Sequence, residues 1–161
     1  MVPHLTTALS GPILELEKRF LDSSTQIEHW LRGQWQEHTP PFYSSCDLRN
    51  SGFKLAPVDT NLFPGGFNNL NSAFLPLCVQ AAMVAIEKIC PDARNLLLIP
   101  ENHTRNQFYL QNVAQLVAIL RQTGLNIRLG SMLPEITEPT SIDLPNGQSL
   151  LLEPLVRTQY R

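Results

Sequence analysis

Residues 95–129 read NLLLIPENHTRNQFYLQNVAQLVAILRQTGLNIRL, a strand, a helix and a strand in succession. Asn95 to Ile99 is apolar at consecutive positions, as a central parallel strand covered on both faces requires. Asn106 stands where a helix N-cap is expected. Gln107 to Gln122 then carries Leu110, Val113, Leu116, Val117 and Leu120 at the helical period. Gly124 occupies the position of a left-handed C-terminal cap, and Asn126 to Leu129 is the next strand. A helix joining two strands in this way implies a right-handed parallel crossover in an open sheet.

Working outward, Phe74 to Ile89 is apolar almost all round (Phe74, Leu75, Leu77, Cys78, Val79, Met83, Val84, Ile86, Ile89). It is expected to be a helix buried on more than one side. Asn71 or Ser72 would cap it, Pro76 is tolerated in its first turn, and Pro91 ends it. Before it, Tyr43 to Arg49 and Phe53 to Val58 flank the turn signal Asn50-Ser51-Gly52, which predicts a hairpin. The second of these segments would begin a series of strand, helix, strand, helix, strand. Ile13 to Gln36 has an amphipathic helical pattern interrupted at Ser23-Ser24-Thr25, where Ser24 or Thr25, with Glu28, could cap a second helix. Pro40-Pro41 ends that region. Past Gly130, Ile142 to Leu144 and Ser149 to Leu152, joined by Pro145-Asn146-Gly147, predict a terminal hairpin. The expected fold class is therefore α/β: an open, largely parallel sheet with flanking helices, a long N-terminal helical segment (residues 1–42) and a C-terminal hairpin, the α/β part spanning 43–161.

Composition narrows the function classes. With 161 residues, 43% of them hydrophobic, the chain can build one core. A net charge of −2 and dispersed Lys and Arg give no footprint for nucleic acid or an anionic membrane. No apolar stretch is expected to approach the ~20 residues of a bilayer span. No signal-peptide order opens the chain. Cys46, Cys78 and Cys90 lack C-x-x-C spacing, which points to reduced thiols and a cytoplasmic setting. The abrupt stop after the strand-like Ser149 to Val156 leads us to expect the front part of a longer protein.

The polar residues concentrate in two loops. One lies in DLRNSGFKLAPVDTNLFPGGFNNLN (Asp47–Asn71), the other in PENHTRN (Pro100–Asn106). Ligands of open α/β sheets bind beyond the carboxyl ends of strands, so these loops predict one site built from two strand ends. Asp59 and Asn61 follow the first strand; Glu101, Asn102, His103 and Arg105 follow the second. Free amides at the start of the helix after Asn106, with Arg105, would favour an anion such as a carboxylate or a phosphate. Arg49 and Lys54 would reach the same region if the hairpin packs alongside. The plainer reading is that Asp59 and Asn61 build Asx-turns and that Asn106 only caps. Pro64-Gly65-Gly66 matches no phosphate-loop pattern; it predicts a tight turn that lets backbone approach a ligand or a neighbour, with Phe63 and Phe67 as anchors. His103 could transfer a proton or merely orient its loop. His4, His29 and His38 lack ligand spacing, so no metal site is expected. A Cys46–His103–Asp59 triad finds no support in spacing, and Cys78 and Cys90 would lie in a buried helix.

YSSCDLRNSGFKLAPVDTNLFPGGFNNLN (Tyr43–Asn71), LLLIPENHTRNQFY (Leu96–Tyr109) and LLLEPL (Leu150–Leu155) resemble the proteobacterial glutamate–cysteine ligases, or γ-glutamylcysteine synthetases. The resemblance runs in order through most of Tyr43 to Leu155, and members of that family are much longer. It implies an ATP- and magnesium-dependent ligase of glutathione biosynthesis. Such an enzyme joins the γ-carboxylate of L-glutamate to the amine of L-cysteine through a γ-glutamyl phosphate. It also implies kinship with ATP-grasp ligases, hence a pre-ATP-grasp-like first domain, with nucleotide and metal elements later in the chain.

No catalytic residue is assigned by the resemblance. From the loop argument, Arg49, Lys54 and Arg105 would hold anionic groups. Asp59, Asn61 and Asn102 would orient an amine or amide, and Glu101 and His103 complete the set. The alternative is a non-catalytic amino-acid-binding or assembly domain on the same α/β fold. An oligomer contact through Trp30 and Trp35 is compatible with either.

Overall fold

The structure is a computed structural model that describes residues 13–51, 55–62, 65–101 and 106–156. It divides into two compact units, Met1–Phe63 and Pro64–Arg161.

The first unit holds two helices and a hairpin. α1 (Ile13–Asp22) and α2 (Ser24–Glu37) are separated at Ser23, so the break falls where the sequence placed it. The cap position is Ser23 rather than Ser24 or Thr25, and its side chain makes no capping hydrogen bond. Backbone bonds from Ser23 to Arg19 and from Ile27 to Ser23 (both 3.0 Å) carry the chain from α1 into α2. β1 (Ser45–Asn50) and β2 (Leu55–Asn61) pair antiparallel, as predicted, with a register shift between Asp47 and Leu48.

The second unit carries the sheet. Gly66, at φ 74°, supplies the left-handed turn that starts the short 3-10 turn Phe67–Asn69. A second 3-10 turn, Ser72–Phe74, runs into α3 (Leu75–Ile89), and Asn71 caps that turn by accepting from the Ala73 N–H (3.0 Å). β3 (Asn95–Leu98), α4 (Gln107–Arg121), β4 (Asn126–Ser131), β5 (Thr140–Asp143) and β6 (Ser149–Pro154) follow. The strand order is β3-β4-β6-β5, with β3–β4 and β4–β6 parallel and β5–β6 antiparallel. The predicted terminal hairpin thus extends the parallel sheet through β6. Gly147 (φ 79°) turns that hairpin and Gly124 (φ 86°) leaves α4, both in the left-handed region.

The core is α4 against one sheet face. Leu110, Val113, Leu116, Val117 and Leu120 are buried, as their period predicted, together with Tyr109, Ala114 and Ile119. They meet a face that includes Ile127, Leu129, Leu150 and Leu152, the alternate positions of β4 and β6. Gly130 is buried, and a Cβ there would collide with the side chain of Leu155, whose N–H bonds to the Ser131 carbonyl (2.9 Å).

Three expectations are corrected. β2 is not a strand of the parallel sheet; it pairs only with β1 among the described strands. β3 is an edge strand with one neighbour rather than a central one, so its unbroken apolar run reflects something other than two flanking strands in this unit. α3 has no buried residue; Cys78 is half-buried, and Cys90, just past the helix, is exposed. The continuous helical run Ser72–Ile89 also has 18 residues and a mean hydropathy of 1.5, long and apolar enough to cross a membrane by length and composition. Counting consecutive apolar residues missed it because Ser72, Pro76 and Gln80 interrupt the string without lowering the mean enough to matter.

Candidate active-site corner

The strongest cluster of directional contacts lies in the second unit, around the first turns of α4. Asn106 accepts from the Phe108 and Tyr109 N–H groups through Oδ1 (3.1 and 3.2 Å). This is the predicted cap, and it already occupies two of the amides that an anion would have needed. Tyr109, buried in the core, accepts at its hydroxyl from the backbone N–H of Glu101 (2.8 Å). The chain leaving β3 is thereby tied to α4 at Glu101.

One turn further along, Asn112 is buried and uses both ends of its amide. Nδ2 donates to the Phe108 carbonyl (2.9 Å), and Oδ1 accepts from the backbone N–H of Asn68 (3.3 Å). The backbone that approaches a neighbour is Asn68, in the 3-10 turn after Gly66, and not a glycine: nothing lies within 4 Å of where a Cβ on Gly66 would be. That neighbour is α4, and Phe67 is half-buried beside it. Two polar loops of the sequence, the end of the Asp47–Asn71 stretch and the start of the Pro100–Asn106 stretch, are thus fastened to one helix.

The predicted site residues fare unevenly. Glu101 is exposed at this corner. Lys54, Asn102, His103 and Arg105 lie outside the described residues, as does Phe63. Arg49 is exposed on β1, opposite Ala56. Asp59 is exposed on β2 opposite Asp47, and Asn61 donates from Nδ2 to Asp59 Oδ2 (3.4 Å), a side-chain contact along the strand rather than an Asx-turn. Arg49, Asp59 and Asn61 therefore belong to the hairpin unit, while Glu101 belongs to the sheet unit. Asn112 and Tyr109 were missed. The signal for Asn112 was present: an amide on the helical face between Leu110 and Val113, where burial demands hydrogen-bond partners.

Elsewhere the site chemistry is sparse. An open cleft of about 320 Å³ between the end of α3 and the starts of β3 and β4 is lined by Met83, Ile86, Glu87, Arg94 and Thr123 among others. It lies at the amino ends of the strands, away from the loops that hold ligands in such sheets. Across β4 and β6, Arg128 forks onto Glu153 through Nε (2.9 and 3.1 Å) and also through NH2. The hydrogen bond to Arg128 holds the Glu153 carboxyl below the ordinary carboxylate range, and the same bond raises the Arg128 guanidinium. Among the described residues no three His, Cys, Asp or Glu side chains gather as metal ligands would.

The second unit is a small mixed α/β unit in which the Phe67–Asn69 turn and the residue after β3 are tied to α4. Residues 17–161 match the family model of glutamate–cysteine ligase, so the chain belongs to the glutamate–cysteine ligase family. It is also similar to a crystal structure from Methylobacillus flagellatus KT, named as that of a "putative gamma-glutamylcysteine synthetase". Sequence identity is 72% and the TM-score 0.78, over 98% of this chain. The match spans 37% of the relative's chain. No curated protein matches.

Proposed function

We propose that this chain is the substrate-side portion of an ATP-dependent glutamate–cysteine ligase, the cytoplasmic enzyme that opens glutathione synthesis. The observation that carries the proposal is the family match over residues 17–161, joined by 72% identity to the gamma-glutamylcysteine synthetase relative. L-Glutamate, L-cysteine and ATP are the proposed substrates, with magnesium as the metal. When bound, ATP supplies the phosphoryl group that activates the γ-carboxylate for attack by the cysteine amine. No phosphate loop and no acidic cluster occurs among the described residues, so these residues do not fit the nucleotide and metal, and no step through them is derived. Their role is to hold an amino acid at the α4 corner. Asn112 and Tyr109 fix the backbone at Asn68 and Glu101; Glu101, Asn102, His103 and Arg105 are proposed substrate contacts, and separately so are Arg49, Lys54, Asp59 and Asn61. Self-association through Trp30 and Trp35, exposed on α2, is part of the same proposal.

The test is ADP release dependent on both glutamate and cysteine, measured on the protein of the complete reading frame, with Arg105→Ala beside it. Activity is expected in the unsubstituted protein, and a raised KM for an amino-acid substrate in the variant. Absence of turnover in a folded protein would overturn the ligase reading. An unchanged KM and kcat in the variant would remove Arg105 from the site.

A further inference from the structure

α3 carries two apolar stripes. Leu75, Cys78, Val79, Ala82 and Ile86 form the half-buried one, at the spacing of a helix packed on a single neighbour. That neighbour is α4, with which α3 makes its main helix contact. On the outer side Phe74, Leu77, Ala81 and Val84 follow at intervals of three, four and three. Phe74 is 55% exposed, Leu77 59% and Val84 60%. A helix apolar on both sides belongs between two layers, and this unit supplies only one.

We infer that the outer face of α3 is a docking surface for the part of the ligase chain that lies outside these 161 residues. The relative that shares 72% identity matches over only 37% of its own length, so most of that chain accompanies a domain of this kind. Two other occupants fit less well. A bilayer would have to surround the helix, yet its inner stripe is committed to α4. Interfacial binding to an anionic surface favours a row of Lys and Arg, and α3 offers Lys88 beside Glu87. A second copy would leave the length of the relative's chain unused as an explanation.

The experiment is hydroxyl-radical footprinting, read residue by residue by mass spectrometry, on the unsubstituted protein of the complete reading frame. A synthetic peptide of residues 72–91 serves as the unprotected reference, and buried Tyr109 as the protected one. Loss of oxidation at Phe74 and Leu77 to the level of Tyr109, unchanged on dilution, is the expected result. Oxidation at the rate of the peptide would overturn the inference. Protection that fades on dilution would assign the face to a second copy, and protection that appears only with phosphatidylcholine vesicles would assign it to a membrane; either also overturns it. ADP release from the same sample reads the ligase proposal separately, since an inactive protein can still show or lack this protection.

Discussion

α3 and α4 have the same length, fifteen residues, and both are strongly apolar, yet one is the core and the other is surface. α4 buries its side chains because a sheet face, α3 and the Phe67–Asn69 turn all pack against it. α3 packs chiefly on α4 and buries none. Apolarity made both helices able to be buried; position in the layer order decided which one was. The practical lesson is that an exposed apolar helix in one domain is information about what else that domain meets.

The largest expected effect tests this contrast directly. In the protein of the complete reading frame, Leu110→Ala removes a side chain that is 1% exposed and should cost about 2–5 kcal/mol by urea unfolding. Leu77→Ala, on the outer face of α3, should cost more than the roughly 0.5 kcal/mol of a side chain left in water if that face is covered as inferred above. A loss at Leu77 approaching that at Leu110 would erase the contrast for the whole protein and favour a covered α3.

Next in size is Asn112→Ala. It removes the acceptor of the part-buried hydrogen bond from the Asn68 N–H, a loss of about 0.5–1.5 kcal/mol. Faster hydrogen exchange at the Asn68 amide is the readout, with the remainder of α4 unchanged. If Asn68 exchanges at its original rate, the turn is held by packing alone and the corner is less dependent on α4 than the hydrogen bond suggests.

The smallest effect is electrostatic and lies away from both helices. Glu153 has a folded-state pKa below its unfolded value of about 4.3, so its pairing with Arg128 adds stability that is present above that value and is lost as pH falls through the folded pKa. Arg128, raised further above its already high value, stays charged throughout and adds no pH dependence of its own in this range. Glu153→Gln should therefore lower the melting temperature slightly near pH 7 and make no difference once both pKa values have been passed on the acid side. An equal shift at both extremes would mean that the side chain acts through packing.

Much of the fold was legible because its signals are local. The period of Leu110, Val113, Leu116, Val117 and Leu120, the Asn106 cap and the glycines at 124 and 147 each state a backbone preference that the tertiary structure had no reason to override. The β1–β2 pairing was legible for the same reason, since a turn signal between two extended segments needs no distant partner. The misplacement of β2 came from connectivity. Nothing local to Leu55–Asn61 says whether a strand joins the sheet that follows it or pairs only with its own hairpin partner. The candidate site suffered from that error, because Arg49, Asp59 and Asn61 were counted with Glu101 on the assumption of a shared sheet.

The sequence by itself determined the family, the strand and helix identities around residues 95–129 and the caps that bound them, all consequences of short-range geometry or of long matching strings. Only the tertiary structure decided that β6 lies beside β4, that Asn112 clasps the backbone of a residue 44 positions earlier, and that α3 remains exposed. These depend on which surfaces meet. Meeting surfaces are set by the free energy of whole layers packing together, to which any one residue contributes too little to be read alone.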